Sequence, residues 1–451
     1  MSGTGDGKND GSGRPPYYQY QYDLYAKAIL LGQYPSVTTD PNKLEEQARK
    51  SMTKEGFNYV YGGAGESSTT QANRLAFRQW RIIPRFLRPT MPRDLRVDLF
   101  GKIYDCPLFM APVGVQSAYH KDAESGVAAA CAELGVPFIF STASSTALED
   151  VATAADAALA TSLAEEWGQA SSGTDAMAQR WFQLYWPESD DLTASLLSRA
   201  RAAGCTALVV TLDTFTLAWR PLDLDAGYLP FATGEGNALG FSDPVFRRRF
   251  AADTDGDTPE NNPVGASRAW TSEVFSGRAR DWAELALLRR LWGPHNPILL
   301  KGVLSAADAR KARASGLVDG IIVSNHGGRQ LDGAIPALEA LPEIVDAVAD
   351  EGAVSGTTGG SADFPVLFDS GVRTGADVMK ALALGAGAVL IGRPVIYGLG
   401  IAGRDGARQV LAGLLADLDQ SMGLAGVQNV RQLKRDMLKK IPYCGDVKSQ
   451  L

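Results

Sequence analysis

A histidine follows a short apolar run in this 451-residue chain. His326 comes directly after GIIVSN (residues 320–325) and stands three residues before Arg329, with two glycines between them. Histidine transfers protons near neutral pH, and arginine can hold a carboxylate through two parallel hydrogen bonds. His326 is therefore the candidate base, with a purely structural histidine as the alternative. The other two histidines, His120 and His295, are expected to lie in surface loops.

Seven further apolar runs occur along the chain, and polar groups follow most of them in the same way. Helical patterns separate most of these runs, which predicts eight parallel strands, each with its helix, in an α/β fold: a (β/α)8 TIM barrel. Active sites of such barrels lie at the carboxyl ends of the strands. The groups expected there, in chain order, are Val113 and Gly114; Ser141; Gln183 and Tyr185; Thr211 and Asp213; Lys301; Ser324 and His326; Asp369 and Arg373; Gly392 and Arg393.

The barrel domain is expected to span residues 16–445, with an N-terminal helical segment and a disordered tail over residues 1–15. Two stretches interrupt the regular alternation of strands and helices. Residues 215–297 are far too many for an ordinary connection after the fourth strand, and long loops of this kind often act as lids. Residues 352–363 are rich in Gly, Ser and Thr and are expected to form a flexible surface insertion without a catalytic role.

Composition limits the partners of this chain. The net charge of −7 gives no global support for binding nucleic acid or an anionic membrane, and no apolar stretch has the length of a membrane span. The four cysteines lie far apart without a metal-binding or redox spacing, so no metal is expected. Cys131 and Cys205 stand among apolar residues, which indicates reduced buried thiols of an intracellular protein.

The N-terminus lacks the apolar segment of a signal peptide, so we expect a cytoplasmic protein. A peroxisomal location is the alternative, because the final Ser449-Gln450-Leu451 resembles the Ser-Lys-Leu address without its basic residue.

Several motifs together resemble the FMN-dependent enzymes that oxidise 2-hydroxy acids. The motifs are SNHGGRQLDG (324–333), LLKGV (299–303), FQLYWP (182–187), TLDT (211–214), MAPVGV (110–115), LFDSGVRTGADVMKALALGA (367–386) and IGRPVIYG (391–398). The resemblance extends from about residue 20 to residue 440. Within that family, the chain is most similar to lactate 2-monooxygenase. The similarity lies in the long connection, with its motifs WRPLDL (219–224), LPF (229–231) and DPVFRRRF (243–250), and in YVYGGAGE (59–66).

The resemblance implies a role for each matching residue. His326 would be the base and Asp213 would orient its ring. Arg220 and Arg329 would hold the substrate carboxylate, and Tyr59 and Tyr185 would bond the carboxylate and the reacting hydroxyl. The residues implied to bind FMN are Val113, Gly114, Ser141, Gln183, Thr211, Lys301, Ser324, Asp369, Arg373, Gly392 and Arg393.

Physical chemistry agrees with two of these roles. A lysine about 4 Å from a negative charge contributes roughly 4 kcal/mol at an effective dielectric constant near 20, which suits Lys301 beside a reduced flavin. The last two strand ends of a barrel commonly bind phosphate, which agrees with the roles of Asp369, Arg373, Gly392 and Arg393. One residue departs from glycolate oxidase, where a tryptophan stands in place of Ala143, so the substrate size of that enzyme cannot be transferred.

The resemblance implies that O2 oxidises a small L-2-hydroxy acid, with L-lactate as the favoured substrate. It also implies that the enzyme is a homotetramer. The product would be either the 2-oxo acid with peroxide or, by coupled decarboxylation, acetate, CO2 and water. A dehydrogenase with another electron acceptor remains an alternative. An FMN-barrel isomerase and a binding protein without chemistry are less consistent with the His326, Arg220 and Arg329 set. The G-x-G-x-x-G match at residues 398–403 does not directly follow a strand, so it is not interpreted as a nicotinamide fingerprint.

Overall fold

The computed structural model describes residues 15–167, 177–349, 360–361 and 364–442. Three sequence expectations fall wholly or mostly outside these ranges. They are the disordered tail over residues 1–15, the flexible insertion over residues 352–363 and the C-terminal Ser449-Gln450-Leu451.

Eight parallel strands form a closed barrel, which confirms the predicted fold. Strands β1 to β8 are Leu108–Met110, Phe138–Ser141, Arg180–Leu184, Leu208–Thr211, Ile298–Val303, Gly320–Val323, Phe364–Phe368 and Val389–Ile391. Neighbours in the chain pair in parallel, and β8 pairs with β1 to close the ring. Nearly every strand residue is buried, because the barrel interior covers one face and the helices cover the other.

Helices surround the barrel and precede it. In chain order α1 to α16 are Gln19–Leu31, Leu44–Ser51, Lys54–Tyr61, Ser68–Gln79, Ala123–Glu133, Leu148–Trp167, Asp190–Ala202, Pro221–Ala226, Ala238–Phe241, Pro244–Asp253, Pro263–Val274, Leu285–Trp292, Ala306–Ala314, Ala337–Ala347, Gly375–Ala383 and Arg393–Leu424. The last helix is interrupted at Ala402 and Gly403, whose backbone angles are not helical.

Short strands complete the shell. They are Trp80–Ile82 with Leu438–Lys440, Val97–Leu99 with Lys102–Tyr104, and Gly360–Ser361 against the start of β7; each pair is antiparallel. Cys131 and Cys205 are buried free thiols, as the sequence predicted. Within the described ranges, no helix is long and apolar enough to cross a membrane.

The segment between β4 and β5 folds into short helices. Three of them, α8, α10 and α11, begin at a proline, which lacks the N–H that the first helical turn leaves unpaired. The fully buried Asp243 caps α10 by accepting from the backbone N–H of Val245 and Phe246. The segment ends with α12, which packs against α7 in the helical layer of the barrel.

Candidate active site

A deep cleft opens at the carboxyl ends of the strands. It brings together most of the residues selected from the sequence. Those lining it are Tyr59, Val113, Gly114, Tyr185, Arg220, Lys301, His326, Arg329, Asp369, Arg373, Gly392 and Arg393. Asp213, Ser141, Gln183, Thr211 and Ser324 lie behind this first layer.

His326 and Asp213 form a hydrogen-bonded pair. Nδ1 of His326 is 3.0 Å from Oδ1 of Asp213, although 113 residues separate them in the chain. The Thr214 hydroxyl lies 3.0 Å from the same ring nitrogen and donates to Asp213 Oδ1 at 3.0 Å. Because these contacts occupy Nδ1, Nε2 is the ring nitrogen left for a substrate. His326 has a φ of +56°, a sparsely populated conformation for a non-glycine residue that is enriched at active sites.

Burial and charge set the protonation of this pair. Burial has the largest effect on the pKa of His326 and lowers it; Asp213 raises the pKa and Lys301 lowers it, leaving it below the usual 6.5. Burial alone would raise the pKa of Asp213, but the charges of His326 and Lys301 bring it to about 2. The pair is therefore a neutral imidazole beside a carboxylate at neutral pH, which is the form a base requires.

Two guanidinium groups lie together at the outer wall. Arg220 is buried and is held by the backbone oxygen of Arg329 at 3.0 Å and by Oε1 of Gln330 at 2.8 Å. Arg329 donates to the backbone oxygens of Tyr59 and Gly62 and lies over the Tyr59 ring. Burial lowers the pKa of Arg220 and the neighbouring Arg329 lowers it further. Neither arginine forms an ion pair within the described residues, so this wall suits an anion.

Two more arginines lie at the ends of β7 and β8. Arg393 donates to the backbone oxygens of Val60 at 3.0 Å and Gly327 at 2.8 Å, and Arg373 donates to Val372 O at 2.9 Å. Burial lowers the pKa of Arg393 to about 10, so it remains charged at neutral pH. The helix α16 begins at Arg393, and its N-terminal dipole adds to a cationic corner suited to a phosphate.

Lys301 occupies the floor between these ends. It is 3% exposed, and its Nζ donates to Oγ of Ser324 at 3.1 Å and lies 3.4 Å from Oδ2 of Asp369. Ser324 Oγ also accepts from the backbone N–H of His326 at 3.0 Å. The lysine charge is therefore held in place beside the candidate base.

The ends of β2 and β3 fix the orientation of one amide. Oε1 of Gln183 accepts from Ser141 Oγ at 3.1 Å and from the backbone N–H of Thr142 at 3.2 Å. A backbone N–H needs an acceptor, so the amide nitrogen must be Nε2, which is buried and has no protein partner. Thr211 lines a second cavity together with Asp213 and Trp186.

Aromatic residues cover the cleft from the long connection. Phe231 and Phe275 line it and lie with ring centroids 5.2 Å apart, and Phe275 also packs on Tyr185 at 5.1 Å. Two other aromatic residues of the connection lie elsewhere: Trp219 is 73% exposed, and Phe241 packs on Phe246.

Sequence reasoning missed four residues of the site: Thr214, Gln330, Tyr119 and Phe275. Thr214 and Gln330 are immediate chain neighbours of selected residues, and a search of the positions beside them would have found both. Tyr119 is buried against the cleft, and burial raises its pKa well above the usual value. Phe275 lies 44 residues after Phe231, at the end of α11, and no local pattern marks it.

The sequence and the fold were compared with known proteins. The family model described as FMN-dependent dehydrogenase matches residues 48–440. The chain belongs to this family.

Its relatives within the family act on 2-hydroxy acids. An FMN-dependent alpha-hydroxy acid dehydrogenase, qulF of Penicillium citrinum, is 48% identical over 97% of this chain and 100% of its own length. An L-lactate oxidase of Lysinibacillus sphaericus is 38% identical over 88% of this chain and 92% of its own. The crystal structure of mandelate oxidase is 34% identical, with a TM-score of 0.70, and covers 90% of this chain and 100% of that one. This family member is an FMN-dependent 2-hydroxy-acid oxidoreductase.

The cleft of this family member fits FMN. The unpartnered Nε2 of Gln183 suits a carbonyl or ring nitrogen of a flavin. Arg373 and Arg393, both half-buried, form no ion pair within the described residues and suit the phosphate. A metal would need a different donor set: across the described residues, no group of three His, Cys, Asp or Glu is placed to hold one.

Proposed function

We propose that this protein oxidises L-lactate, or a similarly small L-2-hydroxy acid, with O2 and retains the 2-oxo acid until it is decarboxylated. The balanced reaction converts lactate and O2 into acetate, CO2 and water. The observation that carries the proposal is the cover of the cleft: the connection after β4 supplies Arg220, Leu217, Phe231 and Phe275 to the same cavity as His326. The carboxylate anchor and the apolar cover therefore belong to one segment.

The chain supplies the proton acceptor. When bound, FMN accepts the two electrons and the hydrogen that leave C2 of the substrate. Nε2 of His326 takes the proton of the 2-hydroxyl, and Asp213 stabilises the imidazolium that results. Tyr185, which packs beside the cleft under Phe275, is placed to bond the same hydroxyl, and Tyr59 to bond the carboxylate.

The charged residues divide the cleft into two anion sites. Arg220 and Arg329 hold the substrate carboxylate with their planar forks, next to the base. At the other end Asp369 and Arg373 bond the ribityl and phosphate of FMN. The complete set proposed to bind FMN is Val113, Gly114, Ser141, Gln183, Thr211, Lys301, Ser324, Asp369, Arg373, Gly392 and Arg393.

Residence time of the 2-oxo acid decides the products. If the acid remains under Phe231 and Phe275 while O2 is reduced, the peroxide formed beside it attacks its carbonyl and CO2 leaves. If it departs first, pyruvate and H2O2 are released. Closing a site over its contents excludes water and delays release, and lid motion rather than the base sets that delay. The similarity of residues 219–224 and 243–250 to lactate 2-monooxygenase supports retention.

The test is turnover of L-lactate in air without catalase. We expect acetate and CO2 in equal amounts, with little free peroxide. Pyruvate and peroxide formed in equal amounts during the first turnovers would contradict retention. Anaerobic bleaching of the flavin by L-lactate tests the substrate assignment separately, because it does not depend on the later steps.

A second candidate is release of the 2-oxo acid without decarboxylation. The names of two relatives favour it: an L-lactate oxidase and an alpha-hydroxy acid dehydrogenase. The reduced enzyme distinguishes these forms. Fast reoxidation in air indicates an oxidase, whereas slow reoxidation in air with fast reoxidation by a quinone indicates a dehydrogenase.

We also propose a homotetramer located in the cytoplasm. Helix α1 supports self-association, because none of its residues is buried while Ile29, Leu30 and Leu31 are 79%, 76% and 64% exposed. Contiguous apolar patches of this kind commonly mark interaction surfaces.

A further inference from the structure

A fully buried glutamate lies beside the cleft and has no part in the proposed chemistry. Glu124 stands in the first turn of α5 and is 0% exposed. Its Oε1 accepts the backbone N–H of Gln116 at 3.1 Å and of Ser145 at 2.9 Å. Its Oε2 accepts the hydroxyl of Thr146 at 3.0 Å. One carboxylate thus ties the loop after β1 to the loop after β2.

These two loops form one wall of the cleft. The side chain of Gln116 donates to the backbone oxygen of Val113 at 2.8 Å, and the backbone N–H of Val115 donates to Ala143 O at 2.8 Å. The loops approach so closely that a Cβ on Gly114 would lie 2.3 Å from the oxygen of Ala143. Val113, Gly114 and Ala143 all line the cleft.

We propose that Glu124 is a positioning residue, which sets the wall Val113–Gly114–Ala143 against the flavin ring by holding both loops at once. The assignment of that wall to the flavin rests on the proposed function. Glu124 itself touches neither the base nor the carboxylate site, so it acts through the backbone of Gln116 and Ser145.

This role requires the length of the glutamate side chain rather than its charge. Burial raises the pKa of Glu124, and the hydrogen bonds from Ser145, Gln116 and Thr146 offset this in part. Glutamine has the same length: its oxygen can accept both backbone N–H groups and its nitrogen can donate to Thr146. Aspartate keeps the charge but is one methylene shorter, so it cannot meet both loops without moving one.

The experiment compares Glu124→Asp and Glu124→Gln with the native enzyme. Glu133→Gln is the matched control, since Glu133 is on the same helix and pairs with Arg404 and Arg408 away from the cleft. Four quantities are measured: the dissociation constant of FMN from the apoprotein by fluorescence, the rate of anaerobic flavin reduction by L-lactate, the oxalate affinity of the holoenzyme, and the midpoint of its thermal unfolding.

For Glu124→Asp we expect at least tenfold weaker FMN binding and reduction about 10–100-fold slower, the usual cost of a small misplacement of reacting groups. Oxalate affinity should change less than about twofold, because Arg220 and Arg329 belong to other loops. Glu124→Gln and Glu133→Gln should remain within about threefold of native in both affinities and in the reduction rate.

Two results would overturn the proposal. Native FMN affinity and reduction rate in Glu124→Asp would show that the wall does not depend on this residue. If FMN affinity, oxalate affinity and thermal stability all fell together in that variant, Glu124 would have only a general packing role. If the native enzyme is not reduced by L-lactate, the substrate assignment fails, whereas the order of FMN affinities among the variants still tests Glu124.

Discussion

His326 is the residue on which the proposed proton transfer depends. Replacing it in His326→Gln removes the acceptor but keeps a polar side chain of similar size. We expect FMN to bind normally and anaerobic reduction by L-lactate to slow by about two to four decades, the usual contribution of a positioned base. The exposed His295 provides the control His295→Gln. Stopped-flow bleaching at a near-native rate would remove His326 from this role.

The acid limb of the pH profile reports on the same residue. Only neutral His326 accepts a proton, and its pKa lies below the usual 6.5. As the pH is lowered, kcat/KM should therefore stay at its plateau through pH 6.5 and fall only at lower pH. Asp213 raises that pKa, so Asp213→Asn should move the limb to lower pH while lowering the plateau, because the ring loses its orienting partner. A limb that stays in place in Asp213→Asn would contradict this coupling.

Arg329 is predicted to hold the carboxylate through its planar fork. Lysine has one compact charge and cannot reproduce two parallel hydrogen bonds, so Arg329→Lys should weaken oxalate binding by about tenfold or more. Titration of the flavin spectrum with oxalate measures this change. The exposed Arg248 allows Arg248→Lys as the control. An unchanged titration curve would place the carboxylate elsewhere in the cleft.

At the scale of elements, the connection after β4 decides how long the product stays. Phe275 follows α11 and lies over Tyr185, so Phe275→Ala opens the cover without touching the base. We expect the fraction of turnovers that release free peroxide to rise several-fold, while the reduction rate changes much less. Phe241→Ala is the matched control, because Phe241 packs on Phe246 within the same segment. Equal peroxide yields in both variants would show that the cover does not control release.

At the scale of the whole molecule, α1 is the predicted contact between subunits. The double substitution Ile29→Asp and Leu30→Asp places charges on its exposed apolar surface. Because no residue of α1 is buried, the fold of each subunit should remain intact. The thermal midpoint of the dissociated subunit provides the check that it is still folded. Sedimentation velocity of the double variant should show a species smaller than the native one. The control Lys27→Glu, on the same helix, should sediment as the native assembly does. A native sedimentation coefficient in the double variant would exclude α1 from the interface.

Short-range patterns made the barrel predictable from the sequence. Each strand is a largely apolar, buried run, and most have a polar residue at or just beyond the carboxyl end, so β1 to β8 and their functional ends could be located one at a time. His326 and Lys301 were selected in this way, because their chain neighbours alone distinguish them. The family motifs then assigned the chemistry, since they preserve residue type and spacing together.

Only the tertiary structure determined which side chains meet. Closure of the barrel brings Asp213 to His326, and the folding of the long connection places Phe275 rather than Trp219 over the cleft. Glu124 has no local signature, because one carboxylate in a helix looks like any other until two loops converge on it. Periodicity reports the surroundings of one segment at a time, whereas contacts between distant segments depend on the packing of the whole chain.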